Sequence, residues 1–194
     1  MKKNNLISLI TGIIFLIFGT SAILNGIFLL KSPLTIIWFC HIGLIILGIG
    51  FLAKNKTIID SQINILAIPL LIWTADFLQF LLTKNSIFGI SAYFFQQGEL
   101  TSKIITSQHL FTIPLSLYSR KFVKKTLRNS IVLSLIVMAP IFFLSEFFGP
   151  EKNINLVYNF LGISGACYTI LWFMIFIVMI LATNLALNKF KKFD

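Results

Sequence analysis

Four ionisable side chains stand inside apolar runs where charge is costly. His41, Asp76, His109 and Glu146 each interrupt a stretch of roughly membrane-spanning length, with Gln79 and Gln108 beside them. Insertion scales put the cost of a charged residue at the middle of a span at about 2.5–3.5 kcal/mol. Intramembrane carboxylates and histidines are typical of proton, ion and solute routes. A histidine oriented by a carboxylate can also act as a general base.

Each of these groups also has a structural reading. A lone histidine is satisfied by one hydrogen bond, an aspartate by a neighbouring helix, and a glutamate at a span's rim by the interface. The four carry suitable ligand chemistry for a metal, but each is on a separate helix and no spacing supports a site, so no metal centre is expected. A nucleophile is not evident. Ser107 and Cys40 are too close in sequence to His109 and His41 to share their helix faces. Cys40 and Cys167 read as free thiols in apolar runs, with no CxxC pair, and the sequence leaves the cofactor unknown.

The elements that must position these groups follow from composition. Of 194 residues, 57% are hydrophobic and 11% charged, against about 25% charged in soluble domains. The expected fold is all-α, a polytopic membrane helix bundle forming one domain over residues 1–194. About six spans are marked, at 6–30, 34–53, 63–82, 100–118, 130–148 and 163–187. The first run is longer than a signal peptide's apolar region and reads as an uncleaved span. No barrel-like alternation competes.

The net charge of +10 sets topology and does not form a nucleic-acid surface, because no basic stripe interleaves with aromatics. With the amino terminus inside, twelve of the sixteen Lys and Arg residues fall in cytoplasmic segments: Lys2, Lys3, Lys54, Lys56, Arg120, Lys121, Lys124, Lys125, Arg128, Lys189, Lys191 and Lys192. Lys31, Lys84, Lys103 and Lys152 fall outside. This bias places both termini in the cytoplasm of a cell-membrane protein. It also retains the polar fourth span, whose deletion would reverse the bias.

On this topology His41 lies about 10 Å and Asp76 about 9 Å below the outer surface. His109 is at similar depth and Glu146 at the rim. The four therefore share the outer half, and no comparable set is expected in the inner half. Trp73, Asp76 and Phe80 share a stripe, as do Ser102, Thr106, His109 and Ser116. Pro114 and Pro140 suggest helices bent around a cavity. Asp76, His109 and His41 are expected to face one another, with Gln79 and Gln108 in support.

Between the third and fourth spans, Ile87–Phe95 reads as a short interfacial or re-entrant element. Gly12, Gly19 and Gly26 recur every seven residues and form a stripe for close packing, either inside the bundle or against a membrane protein partner. Gly43 and Gly50 repeat that interval on the second span. The loop Asn153–Tyr158, with Asn153 and Asn155 as turn formers, is expected to fold over the outer mouth.

Trp38-Phe39-Cys40-His41, Trp73 with Asp76, His109 with Pro114, and Asn153-Ile154-Asn155-Leu156-Val157-Tyr158 together resemble a family of prokaryotic integral membrane proteins. Its pattern has a His and a Pro in a middle span and an Asn-Ile-Asn-aromatic-Val-Tyr loop before the last. Here Leu156 stands at the aromatic position. The resemblance covers Trp38 to Tyr158 and implies a multi-pass fold centred on these residues, without implying a substrate. In overall shape alone, the chain is also similar to substrate-binding subunits of energy-coupling-factor transporters.

Three functions fit these observations. One is an outward-facing polar pocket that binds or transports a small solute or ion. Another is an intramembrane lipid-modifying enzyme with a His/Asp site. The third is a non-catalytic assembly partner.

Overall fold

Apolar runs separated by short polar turns form helices, since lipid leaves no other partner for the backbone. The computed structural model describes residues 3–96, 99–124, 129–148 and 153–190, and the chain is all-α. Lys2, Lys125, Arg128, Lys152, Lys191 and Lys192 of the charge count lie outside the described residues.

Helix α1 (Lys3–Leu24) continues as a π-helical turn, Asn25–Leu29. A 3-10 turn, Pro33–Ile37, leads into α2 (Phe39–Leu52). Helix α3 spans Lys56–Thr83, and α4 is the short Ala92–Gln96. Helices α5 (Leu100–Thr106) and α6 (Gln108–Arg120) break at Ser107, whose hydroxyl bonds back to the Ile104 carbonyl. Then come α7 (Ser130–Phe147), a 3-10 turn at Ile154–Leu156, the two-residue strands β1 (Asn159–Phe160) and β2 (Ile163–Ser164), and α8 (Ala166–Phe190). The strands pair antiparallel, Asn159 opposite Ser164.

Among the described residues, four helical segments are long and apolar enough to cross a membrane: Asn4–Leu29, Lys56–Thr83, Ser130–Phe147 and Cys167–Lys189. Helix α2 has 14 residues and is a shorter apolar helix. The expected fourth span is the broken pair α5–α6, whose polar first half accounts for the interruption. The third helix begins at Lys56, earlier than the expected 63, because Asn55 caps it: its side-chain oxygen accepts from the Thr57 and Ile58 amides at 3.1 and 3.4 Å.

Helix α3 is central and packs against α2, α6, α7 and α8, while α1 lies along α2. Phe15, Leu44, Leu47, Phe51, Ile59 and Ile63 form the fully buried centre. The glycine stripe is spent inside the bundle. A Cβ on Gly12 would lie 2.9 Å from the Leu52 side chain and 3.0 Å from the Gly48 carbonyl oxygen. One on Gly19 would meet Ile45, and one on Gly26 would overlap Thr35. Small residues thus let the α1 and α2 backbones approach closely.

The bundle has two distinct ends. At one, the segments 31–38, 84–96 and 153–165 gather; we call it the loop end. At the other, the exposed Lys54, Lys121, Lys124 and Lys189 emerge; we call it the basic end.

Candidate functional site

Helix α2 begins at the loop end on a turn fixed from three sides. Phe39 is buried and stacks on Trp172 and Phe176, with ring centroids 5.9 and 5.3 Å apart. Its amide donates to the Asn155 side-chain oxygen at 2.9 Å. The Asn155 amide group donates to the Ile37 carbonyl and the Ser145 hydroxyl, each at 2.9 Å. Trp172 Nε1 donates to the Asn155 carbonyl at 3.0 Å. One asparagine therefore ties α2, α7, α8 and the last loop together.

The next residue is Cys40. Its half-buried thiol lies against the rings of both His41 and His109. His41 Nδ1 is 2.8 Å from the Thr35 carbonyl, and His109 Nδ1 is 2.7 Å from the Thr106 carbonyl. A carbonyl only accepts, so in each ring Nδ1 carries a hydrogen, which leaves Nε2 as the nitrogen that can exchange a proton. The thiol thus adjoins two imidazoles oriented through Nδ1, the arrangement a general base needs. It sits in the first turn of α2, where the helix dipole favours negative charge.

Further groups complete the site. The Trp73 ring stacks on His109 at 4.6 Å. Its indole N–H is buried and has no aligned hydrogen-bond acceptor, although the Tyr93 hydroxyl reaches it and Thr106. Gln108 is buried, with its amide nitrogen over the His109 ring, 3.1 Å from Nδ1 and 3.4 Å from Nε2. Its side-chain oxygen accepts from Thr112 at 2.7 Å. Over these residues lies α4, the element expected at 87–95. Phe94 and Phe95 pack on Phe77 at 5.1 and 5.3 Å, and Phe95 stacks on Phe80 at 4.1 Å.

Asp76 does not join the histidines, and its expected pairing with them is corrected. Its carboxylate is fully buried and turned toward the 86–91 loop. One oxygen accepts from the Ser86 hydroxyl at 2.6 Å and the Phe88 amide at 2.7 Å. The other accepts from the Ser91 amide at 2.8 Å and the Ser91 hydroxyl at 2.7 Å. Four donors satisfy the charge without a cation, because loop amides supply what a histidine would have supplied.

The remaining expected residues lie elsewhere. Gln79 donates to Thr83 at 3.3 Å near the surface of α3. Glu146 is exposed, and its backbone carbonyl accepts the Tyr158 hydroxyl. The Asn153 side-chain oxygen accepts from the Tyr158 and Asn159 amides, both at 3.0 Å, and shapes the loop.

A second buried polar set, which the sequence reading did not expect, lies at the other end of the bundle. At the basic end, Arg120 and Asp60 are 3% and 4% exposed. Arg120 forks onto both carboxylate oxygens, through Nε on one and through Nη2 at 3.2 Å on the other. Around this pair Thr11 and Ser119 hydroxyls meet at 2.8 Å, Ser8 donates to the Phe51 carbonyl at 2.6 Å, and Asn64 donates to Ser134 at 3.3 Å.

Among the described residues, no group of three or more His, Cys, Asp or Glu side chains is placed to hold a metal ion. In comparisons with family models, curated proteins and solved structures, nothing matches the chain.

Proposed function

We propose that this is a six-span membrane enzyme, with both termini in the cytoplasm, that transfers acyl groups from a lipid-like ester through Cys40. The carrying observation is the thiol set between two imidazoles whose Nδ1 atoms are fixed on backbone carbonyls. This supplies the nucleophile that the sequence did not reveal. The positive-inside bias puts the loop end, and this site, toward the outer leaflet. An acyl chain is the substrate class suited to a half-buried thiol inside an apolar bundle.

In the reaction, His109 Nε2 takes the thiol proton and Cys40 Sγ attacks the ester carbonyl. The bond from carbon to the leaving oxygen breaks, and the imidazolium returns the proton to that oxygen. A thioester remains on Cys40, and a hydroxyl acceptor then takes the acyl group by the reverse sequence. The Trp73 N–H, beside the Tyr93 hydroxyl, is a donor that could turn to the developing oxyanion.

An alkyne-tagged acyl ester tests this reading. We expect hydroxylamine-labile label on Cys40, absent from Cys40→Ala and reduced about 100-fold or more in His109→Ala, with Cys167→Ala unaffected. Label on Cys167 alone, or none, would sink the proposal.

A second reading, binding or transport of a small solute or ion, is favoured by one specific observation. Buried polar side chains run along α6 from Gln108 through Thr112 and Ser116 to Arg120. Accumulation of a polar solute in vesicles, undiminished by Cys40→Ala, would select it.

A further inference from the structure

Helix α4 carries three aromatic residues, Tyr93, Phe94 and Phe95, and none of its residues is buried. A helix this short cannot stand on its own hydrogen bonds, so its packing and its tether hold it. The packing is on α3. The Phe94 ring meets Trp73 and Phe77 edge-on, with centroids 6.4 and 5.1 Å apart, and the Phe95 ring stacks on Phe77 and Phe80 at 5.3 and 4.1 Å. Tyr93 leans over Trp73, with its hydroxyl against Thr106 and close to the Cys40 thiol.

These rings cover an apolar stripe. Trp73, Phe77 and Phe80 recur at helical spacing along α3 and line one face over about 10 Å. At the end away from the loops, Trp73 stacks on His109, the imidazole beside Cys40. Phe77 is only 7% exposed beneath α4, whereas Leu78 and Leu81 on the adjoining face are 51% and 45% exposed. The covered stripe therefore borders a face that meets lipid.

The tether and the rings hold α4 in different ways. Ser91, the residue before α4, gives both its amide and its hydroxyl to the Asp76 carboxylate, and Ser86 and Phe88 supply the other two bonds. That end is a fixed pivot. The rings are held by contact between apolar surfaces. In hydrocarbon such contact has no hydrophobic drive, because a lipid chain is as apolar as the ring it displaces. A chain can take the place of Phe94 and Phe95 at little cost while Asp76 keeps the tether in position.

We infer that α4 is a lid that turns about the Asp76-held tether, and that the Trp73–Phe77–Phe80 stripe beneath it seats a hydrocarbon chain of the lipid substrate, entering sideways from the bilayer beside Cys40. That the guest is a substrate rests on the acyl-transfer reading; the lid itself does not.

Two probes follow the lid without any acyl transfer. Full-length protein carrying Cys167→Ser, in phospholipid vesicles, is alkylated with N-ethylmaleimide, and separately photolabelled with a phosphatidylcholine bearing a diazirine in its acyl chain. Mass spectrometry locates the label, with the lipid-facing Leu78 as internal standard for Phe77. Asp76→Asn keeps the size of the side chain but removes the charge that gathers the donors. Ser86→Ala/Ser91→Ala keeps the carboxylate and removes the two hydroxyls. In each, the Cys40 alkylation rate and the ratio of Phe77 to Leu78 label should rise several-fold together. Neither substitution touches Phe77, so a cover that never lifts would leave the ratio unchanged. Label on the fully buried Phe15 would show that Asp76→Asn loosens the whole bundle, and the serine variant then decides. A ratio and rate that stay at the parent values, or faster alkylation with no added label on Phe77, overturns the inference. A thioester on Cys40 with both probes unmoved would sink the lid and leave acyl transfer standing; both probes moving with no thioester would do the reverse.

Discussion

The two ends of the bundle spend polar side chains differently. At the loop end, polar groups on helices mostly bond to loops: Asp76 to the 86–91 segment, His41 to the Thr35 carbonyl, and Phe39 through its amide to Asn155. At the basic end they bond helix to helix: Asp60 to Arg120, Thr11 to Ser119, Asn64 to Ser134. Polar groups that bond to loops order those loops around Cys40 and the two histidines. Polar groups that bond to other helices fix which helices are neighbours. The first arrangement suits a site that must admit a ligand, and the second a hub that sets the bundle's register.

The largest test of this contrast is the ion pair. Asp60→Ala takes the carboxylate away from a buried guanidinium and should cost about 3–5 kcal/mol, whereas replacing both partners by apolar residues of similar size should recover most of it. Unfolding in mixed micelles measures both. If the double replacement is no better than the single one, the pair is more than a helix-to-helix staple, and the division between the ends fails.

Asp76→Ala comes next. It leaves two loop amides and two hydroxyls without their acceptor and should cost about 2–3 kcal/mol. The damage should stay local. Amide exchange should rise at Phe88 and Ser91 while the α3–α6 contact at the basic end stays protected. A loss of protection that spreads evenly through α3 would show that Asp76 supports helices and not the loop.

These two acids also show what could be read from sequence. Hydropathy located the four long apolar helices, because polar residues are few within them and lipid enforces helix there. The cost argument correctly required Asp76 to be buried and paired. It failed on the partner, since a loop ten residues away can present amides as well as another helix can present imidazole, and only tertiary structure decides. Asp60 was missed for a plainer reason. With Lys54 and Lys56 just before it, it looks like interfacial polarity; Asn55 was a local signal for the start of α3, but nothing local shows that Arg120 lies opposite.

Cys40 was passed over because adjacent helical residues diverge by 100°. That geometry assumes an established helix, and α2 starts only at Phe39. The His41 ring turns back to Thr35 in the preceding turn and so reaches its neighbour's thiol. The heptad glycines, by contrast, were legible as a packing stripe, though not which helix fills it. Gly48→Leu tests that contact. The added side chain would enter Leu16 and the Gly12 carbonyl, and it should cost about 1–3 kcal/mol by overpacking. The expected loss is intermediate between the Asp76 effect and a neutral surface change, read from the same unfolding transitions.

Smallest of all should be Glu146→Gln. The sequence ranks Glu146 beside Asp76, as a carboxylate near the outer end of a span. In the structure its side chain is exposed, and the bond that ties this position to the last loop runs from Tyr158 to the Glu146 backbone carbonyl, which the substitution keeps. Exposed changes away from such features stay within about 0.5 kcal/mol. The loop-end rule sharpens the same expectation: a carboxylate matters there only when loop donors point at it, as two amides and two hydroxyls do at Asp76 and, among the described residues, none is seen to do at the Glu146 side chain. Stability and Cys40 alkylation rate should both be unchanged. A loss above about 1 kcal/mol, well beyond that surface range, would mean that the Glu146 carboxylate has a partner at the loop end, and that charge at the rim orders this region as much as the buried anchor does.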